Sequence, residues 1–297
     1  MNLRDLEYLV AVADLRNFTQ AAEQCHISQP TLSFQIKKLE EFLGVVIYER
    51  DNKHVILTPV GEQILNKVRI ILREVQDLKV LAQNAKDPFA GQLRMGAFPT
   101  IASYIFPKII PAIHTALPQL KLILREEKTS ILLEKLKEGE IDVAFLALPI
   151  PEHQLLSQAL FEDEFLLAVP AMHPLAQLKR VDQKLLAPYK LLLLEEGHCL
   201  RDQALAVCQT LKTEEQDFRA TSLETLRQMV KANTGITLIP KIAVSEQDQD
   251  IKYLPFTMHV PKRTVALVWR KTSARSLVIT QLLSILREVD YIKQHRV

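Results

Sequence analysis

Two cysteines in one short segment are the residues of this chain best suited to redox chemistry. Cys199 and Cys208 fall in the run 197–208 (GHCLRDQALAVC), and the 297 residues contain one further cysteine, Cys25. A thiolate near a helix N-terminus and cationic side chains is a strong nucleophile. Cys199 follows His198 and precedes Arg201 by two positions. Peroxide would oxidise such a thiolate to a sulfenic acid, which a second thiol captures as a disulfide.

The sequence between the two thiols opposes their direct contact. Leu200, Ala204 and Val207 recur at a helical period and predict a helix after Cys199. Nine residues along a helix place Cys208 on the opposite face, about 13 Å away along the axis. A disulfide requires the two Cα atoms to lie within roughly 7 Å. A bond between these thiols therefore demands local refolding, which is the property of a redox switch.

The cysteines also have simpler interpretations. Both could be small apolar residues packed in a core, and their spacing alone favours that reading. Eight intervening residues match no usual zinc motif, so we predict neither a metal site nor a cofactor. Cys25, just before His26, is interpreted as a buried residue of the N-terminal helices.

Length and composition set the broad class. A chain of this length holds about two domains. Apolar residues are 48% and charged residues 24%, as in ordinary globular proteins, and no apolar run could span a bilayer. Acidic residues at the N-terminus do not fit a secretory signal. We therefore expect a cytoplasmic protein without membrane contact, in which any disulfide is conditional.

The first 44 residues predict a helix–turn–helix. A first amphipathic helix ends near Arg16-Asn17, Thr19 is a candidate N-cap for a helix over 20–25, and Ser28 caps a longer helix that ends at Gly44. In that longer helix the buried stripe is Leu32, Ile36 and Leu39.

The outward face of the longer helix, the one capped by Ser28, carries chemistry suited to DNA. Short polar side chains at its N-terminal end could reach base edges in the major groove, and nearby cations could hold phosphates. The base-reading candidates are Ser28, Gln29, Thr31, Ser33 and Gln35, and the phosphate candidates are Lys37, Arg50 and Lys53. Pro30, in the first turn of the helix, is included among the predicted DNA-binding residues. The alternative is a helical hairpin with a solvated face, which the local charge supports: residues 1–65 hold six basic and nine acidic side chains.

The remaining pattern predicts a wing, a long helix and an α/β region. Residues 45–57 suggest a hairpin, 58–86 one long helix that needs an oligomerisation partner, and 87–91 a linker. Beyond it, strands and helices alternate, which predicts two α/β subdomains with a ligand cleft between them. Predicted strands are 93–97, 120–124, 141–148, 165–169, 190–194, 236–239 and 265–269, and predicted helices are 104–117, 131–138, 223–231 and 276–292.

Ordered motifs along the chain resemble the LysR-type transcriptional regulators. They are LEYLV at 6–10, FTQAA at 18–22, SQPTLS at 28–33, IKKLE at 36–40, LG at 43–44, ER at 49–50 and TPVG at 58–61. The resemblance implies a winged helix–turn–helix over 1–58, a dimerising linker helix and hinge over 59–90, and over 91–297 a two-lobed α/β regulatory domain similar to periplasmic binding proteins. It also implies double-stranded promoter DNA and RNA polymerase as partners, and a tetramer built as a dimer of dimers. Phe34 is bulkier than the side chain expected at its position.

A second set of motifs resembles the peroxide-sensing OxyR group of that family. These are EGHCLRDQA at 196–204 and FRATSLETL at 218–226. The resemblance implies that Cys199 is the peroxidatic and Cys208 the resolving residue, with Thr100, Thr129, His198 and Arg270 around the peroxide. It further implies activation of antioxidant genes by hydrogen peroxide and reset by a thiol reductant such as glutaredoxin. On simpler readings Thr100 caps a helix and Arg270 pairs with an acid.

Two other functions are open at the level of sequence. One is a LysR-type regulator gated by a small organic ligand in the interlobe cleft, for which Cys199→Ser would leave signalling intact. The other is a thiol peroxidase, which would turn over peroxide with a reductant. The third of the chain devoted to DNA-binding and linker patterns favours a regulator over an enzyme.

Overall fold

The chain forms two compact units, each with its own hydrophobic core. The computed structural model describes residues 1–50, 55–84, 87–150, 153–189, 191–197, 200–201, 203, 215–245, 248–258 and 260–297. The units are Met1–Ala82 and Gln83–Val297. The long linker helix therefore groups almost entirely with the N-terminal residues.

Side-chain caps set the helix boundaries of the first unit. Its first three helices are α1 (Leu3–Leu15), α2 (Phe18–Gln24) and α3 (Gln29–Leu43). Asn17, rather than the predicted Thr19, caps α2, because its side-chain oxygen accepts from the backbone N–H groups of Thr19 and Gln20. Ser28 caps α3 as predicted, and Gly44 ends it with φ of 69°, a left-handed conformation that glycine adopts without strain.

A wing and a long helix complete this unit. They are strands β1 (Tyr48–Arg50) and β2 (Val55–Leu57), which pair antiparallel, and helix α4 (Pro59–Asn84). The Tyr48 hydroxyl donates to the Leu9 carbonyl oxygen at 2.6 Å, so the wing is bonded to α1 in the core. The predicted hairpin and long helix are both present.

The second unit begins with parallel strands and crossover helices. These are β3 (Gly91–Ala97), α5 (Pro99–Ala116), β4 (Leu120–Glu126), α6 (Thr129–Glu138) and β5 (Val143–Ala147). Strand β3 lies between β4 and β5 and is parallel to both. Helix α5 starts five residues before the prediction because Pro99, in its first turn, is well suited to a helix start.

One 16-residue strand, β6 (Leu155–Pro170), carries the sheet from one lobe into the other. The remaining partners in the main sheet are β9 (Thr237–Pro240), β10 (Ile251–Leu254) and β11 (Lys262–Arg270). Residues 155–164 of β6 pair with β11, and residues 165–170 pair with β9 and β10. The order is β10-β6-β11-β5-β3-β4, with β9 paired to β6. The two predicted lobes thus share a sheet.

Smaller elements cover the sheet. They are β7 (Leu191–Leu194), which pairs parallel with β8 (Glu215–Ala220), and helices α7 (Leu223–Lys231), α8 (Ser276–Glu288) and α9 (Asp290–Gln294). The predicted single helix over 276–292 is interrupted at Val289. In the part of the chain given by the model, no helix combines the length and apolar character needed to cross a membrane.

An ion network fixes the chain after α7. Lys231 Nζ lies 2.7 Å from the Asp248 carboxylate, and the Tyr253 hydroxyl donates to the same carboxylate at 2.6 Å. Burial opposes ionisation of Asp248, but these two hydrogen bonds and the nearby Arg227 outweigh it and hold the pKa of Asp248 below its usual value.

Candidate functional site

Two helix starts meet at one edge of the regulatory sheet. Strands β3 and β4 are parallel neighbours, with Ala97 paired to Glu126. Thr100 and Thr129 each lie three residues beyond that pair, at the beginnings of α5 and α6. The Glu127 N–H donates to the Ala97 carbonyl oxygen at 3.3 Å and holds the two strand ends together. Carboxyl ends of neighbouring parallel strands are the usual ligand edge of an open α/β sheet.

A buried arginine contacts Thr100. Arg263 Nη1 donates to Thr100 Oγ1 at 2.8 Å, and Arg263 Nη2 donates to the Thr100 carbonyl oxygen at 3.1 Å. Because Thr100 Oγ1 accepts this bond, its own O–H group is left to donate to a ligand. Thr100 is 2% exposed, so the hydroxyl is shielded from bulk water.

The Arg263 guanidinium is neutralised and packed on every side. It forms an ion pair with Asp163, with Nε at 3.0 Å and Nη2 at 2.8 Å from Asp163 Oδ2, and both side chains are fully buried. The rings of Phe98 and Phe165 lie 5.0 and 5.6 Å from its central carbon. Asp163 also accepts from the Ile242 N–H at 3.1 Å. The cation is thereby held in one position beside Thr100.

The chain just before Cys199 is tied to the start of α6. Lys128 Nζ donates to Glu195 Oε1 at 2.6 Å and to the Glu196 carbonyl oxygen at 3.1 Å. Gly197 has φ of 88°, and a Cβ there would lie 3.0 Å from Lys128 Cδ, so a side chain would be strained and crowded. Lys128 immediately precedes Thr129. Residues 195–197 are therefore anchored next to one of the two threonines.

The Thr129 hydroxyl has no internal use in the described structure. Its Oγ1 is shielded from solvent and makes no hydrogen bond to any of the described residues. A buried polar atom of this kind is satisfied by a water or a ligand. Leu200, just after Cys199, is buried, and the Arg201 guanidinium donates to the Leu194 carbonyl oxygen at 3.2 Å.

The structure does not bring Arg270 together with the threonines. Arg270 Nη1 donates to the carbonyl oxygens of Leu136 and Ile141, at the C-terminal end of α6. Leu136 lies seven residues after Thr129, about 10 Å along the helix. Arg263 and Arg270 lie at opposite ends of β11, roughly 23 Å apart. Of these two arginines of β11, Arg263 is the one that contacts Thr100.

Three predicted residues of this site, His198, Cys199 and Cys208, lie outside the described residues. Cys25 is described: it is half-buried, and burial together with the nearby Glu7 carboxylate raises the pKa of its thiol. A raised pKa keeps the thiol protonated and weakly nucleophilic.

The predicted DNA-reading residues lie on α3. Ser28, Gln29, Pro30, Thr31 and Lys37 are exposed, and Ser33 and Gln35 are half-buried. Ser28 Oγ lies 2.7 Å from Thr31 Oγ1, and Gln29 Nε2 donates to Ser33 Oγ at 3.0 Å. Arg50 ends strand β1 at the wing, and Lys53 lies outside the described residues. The exposed candidates on α3 and at its N-cap are therefore accessible to a partner.

Several acids of the first unit are used internally. Glu40 Oε1 accepts from the Ile47 and Tyr48 N–H groups at 2.8 and 3.1 Å, and Asp14 pairs with Arg69 at 2.5 Å. Asp5 accepts from the Asn2 N–H at 2.7 Å in the cap of α1. The Arg69 guanidinium offsets the negative charge of Asp14, and Glu40 and Asp5 serve the fold as hydrogen-bond acceptors.

Family models match nearly the whole chain. Residues 3–62 match the bacterial regulatory helix-turn-helix protein of the lysR family, and residues 86–290 match the LysR substrate binding domain. The chain belongs to the LysR family of DNA-binding transcriptional regulators. This family consists of DNA-binding regulators and not of enzymes. The predicted fold class is confirmed.

Similar proteins include a hydrogen peroxide-inducible genes activator and two OxyR proteins. The hydrogen peroxide-inducible genes activator of Pectobacterium carotovorum subsp. carotovorum is 45% identical over 97% of this chain and 96% of its own length. The DNA-binding transcriptional dual regulator OxyR of Escherichia coli (strain K12) is 46% identical over 92% of this chain and 90% of its own. The full-length OxyR C199D structure from Pseudomonas aeruginosa has a TM-score of 0.79 at 41% identity, covering 99% of this chain and 97% of that one.

Sequence reasoning missed Arg263 and Asp163. Arg263 is 163 residues from Thr100 along the chain, so no local pattern reveals their contact. The available signal was a charged side chain two residues before the apolar run 265–269 of the strand Lys262–Arg270.

Proposed function

We propose that this chain is a cytoplasmic, hydrogen peroxide-sensing transcriptional activator of antioxidant genes whose switch is a reversible Cys199–Cys208 disulfide. The observation that carries this proposal is the pair of threonines beyond neighbouring strand ends: Thr100 is bonded to Arg263, and Thr129 follows Lys128, which binds the residues leading into Cys199. The similarity to OxyR proteins supports the same assignment.

The reaction conserves atoms in two steps. The Cys199 thiolate attacks one peroxide oxygen, so that an S–O bond forms, the O–O bond breaks and hydroxide leaves to be protonated to water. Cys208 then attacks the sulfenic sulfur, forming the S–S bond and releasing a second water. The two thiols together lose two electrons to the peroxide. A thiol reductant such as glutaredoxin supplies two electrons to the disulfide and restores both thiols.

The described residues supply positioning and charge stabilisation. The Thr100 hydroxyl, oriented by Arg263, and the Thr129 hydroxyl, which bonds none of the described residues, can hydrogen-bond the peroxide, and His198 is proposed to lie beside it. The fixed Arg263 cation acts through Thr100 on the negative charge that develops on the departing hydroxide. Arg270 contributes to the fold through the end of α6.

Oxidation is proposed to change promoter binding by changing how the subunits of the regulator are arranged. Helix α3 and the wing bind double-stranded promoter DNA through the candidate residues from Ser28 to Lys53, and the regulator contacts RNA polymerase there. Exposed apolar residues on α4 favour self-association, which we extend to a dimer of dimers. They are Ile70, Ile71, Leu78 and Leu81. Refolding of the segment that contains the cysteines then changes the spacing of the DNA-binding units.

Mass mapping of the thiols tests the redox proposal. Anaerobically purified protein is treated with stoichiometric peroxide, alkylated and digested. We expect a Cys199–Cys208 linked peptide, reversible by dithiol, with Cys25 alkylated throughout. Cys25→Ser is the matched control and should keep the linked peptide, whereas Cys199→Ser should lose it. If both thiols of the wild type stayed free and unmodified, the peroxide mechanism would fail and a ligand-gated regulator would replace it.

A threonine variant tests the pocket. Thr100→Val removes the hydroxyl and keeps the shape, and it should slow disulfide formation by about ten-fold, the loss of roughly one hydrogen bond in the transition state. Thr115→Val on the same helix is the control, because Thr115 is exposed and bonds its own helix at Pro111. Equal rates for the two variants would remove Thr100 from the site.

A further inference from the structure

Phe34 points directly away from the core of the DNA-binding unit. Leu32 and Ile36 are fully buried and Leu39 is 2% exposed, while Phe34 is 64% exposed. With about 100° per residue, Phe34 lies roughly 170° from the mean direction of that buried stripe. It therefore occupies the centre of the outward face of α3.

The neighbours of Phe34 are polar residues already engaged with one another. Ser28, the N-cap, bonds Thr31, and Gln29 bonds Ser33 within the first five helical residues. Phe34 follows as the sixth residue of the 15-residue helix, within the N-terminal half that contacts base edges in helix–turn–helix proteins. A large apolar ring is thus presented where the groove floor would lie.

The chemistry of the major groove restricts what such a ring can face. A phenylalanine side chain has no hydrogen-bond donor or acceptor, and base edges other than the thymine C5-methyl present polar groups there. Desolvating those groups against a ring without replacing their hydrogen bonds carries a free-energy cost. The thymine methyl is the group that gains from the contact.

We propose that Phe34 is a specificity-determining residue that selects a T·A pair in the operator by apolar contact with the thymine methyl. This assignment depends on DNA binding by the LysR-family helix–turn–helix. It is independent of the cysteine chemistry.

The expected effect is set by one buried methyl group. Burial of a methyl contributes about 0.8 kcal/mol, which corresponds to about four-fold in affinity. Replacing the contacted thymine by deoxyuridine, which lacks only that methyl, should weaken binding of the wild type about four-fold. Phe34→Ala should bind both DNAs equally. Because Phe34 is uncharged, the salt dependence of binding should be unchanged.

Selection followed by methyl deletion tests the proposal. Full-length wild type and Phe34→Ala, each reduced with dithiothreitol, select binding sites from a random duplex pool. Each thymine of the preferred site is then replaced singly by deoxyuridine, and Kd is measured for both proteins. The matched control is Phe42→Ala, which removes an equally exposed phenylalanine eight residues further along α3, about 12 Å away. Equal thermal unfolding of the three proteins confirms that they are folded.

The outcomes separate clearly. Support requires at least one thymine whose deoxyuridine replacement weakens wild type and Phe42→Ala but not Phe34→Ala, with that thymine less enriched in the Phe34→Ala selection. The proposal is overturned if all three proteins respond alike to every deoxyuridine, or if Phe34→Ala and wild type select the same sequence with the same preference.

Discussion

Replacing Arg263 would separate the structural and chemical contributions of the buried ion pair. Arg263→Met leaves the fully buried Asp163 carboxylate without its cation, keeping the hydrogen bond from the Ile242 N–H. Removing one partner of a buried pair costs about 3–5 kcal/mol, because the remaining charge stays desolvated. That is a large part of the 5–15 kcal/mol typical of a folded domain.

A compensating variant sharpens the measurement. Arg263→Met combined with Asp163→Leu replaces both charges by apolar side chains between the rings of Phe98 and Phe165. Such replacements are often neutral or stabilising, so the double variant should recover most of the lost stability. Both variants lack the donor to Thr100 and should form the disulfide about ten-fold more slowly than wild type.

The assay uses a probe on the same strand. Trp269, the single tryptophan of the chain, lies on β11 with Arg263, so its fluorescence reports unfolding of the regulatory unit. With a urea m-value of about 2.5 kcal/mol/M, the midpoint of Arg263→Met should fall by about 1–2 M. Disulfide formation is followed by quenching and mass analysis.

Two results would refute this reasoning. A midpoint shift below about 0.4 M, equivalent to roughly 1 kcal/mol, would mean that the pair is not desolvated as described. A double variant with wild-type disulfide kinetics would show that Arg263 contributes only to folding.

Three further predictions concern other parts of the chain. Leu78→Glu with Leu81→Glu should shift the protein to monomers in sedimentation velocity, and an unchanged mass would exclude this face of α4 as the interface. Lys128→Gln should slow disulfide formation by about ten-fold while changing the free energy of unfolding by less than about 1 kcal/mol, since its ion pair is partly exposed. Because the folded pKa of Asp248 lies below its unfolded value of about 4, its stabilisation is present above that pH and lost as the pH falls through the folded pKa. Asp248→Asn should therefore flatten the acid side of the stability profile, and unfolding midpoints from pH 2 to 7 measure this.

Local patterns predicted the DNA-binding helices and the parallel strands well. Ser28 and Gly44 bound α3 because capping chemistry acts over a few residues. The cap of α2 was misplaced, since Asn17 and Thr19 both have suitable side chains and only the backbone path decides between them. The first half of β6 was missed because the central residues of the strand, from Glu162 to Glu164, are acidic, and the sequence does not reveal that Arg263 pairs with the buried Asp163.

The candidate site was predictable only in part. The threonines follow strands recognisable from sequence and lie where the carboxyl ends of neighbouring strands meet. The position of the Arg263 cation was not predictable, because the pairing of β6 with β11 brings residues about 100 positions apart into contact. Two arginines on one strand, Arg263 and Arg270, look alike in sequence and differ by the whole length of that strand in space.

The shared strand β6 gives the regulatory unit a mechanical character. Fully extended, its 16 residues run about 53 Å, and they change partners from β11 to β9 and β10 near Phe165. A wide rotation of one lobe against the other would break hydrogen bonds between β6 and its partner strands near Phe165. The shared strand therefore resists such a rotation and does not serve as a hinge. The strand can bend where its register is irregular, opposite Val265 and Ala266. A strand shared in this way favours signals carried by local refolding of a surface segment, while the two lobes keep their orientation relative to each other.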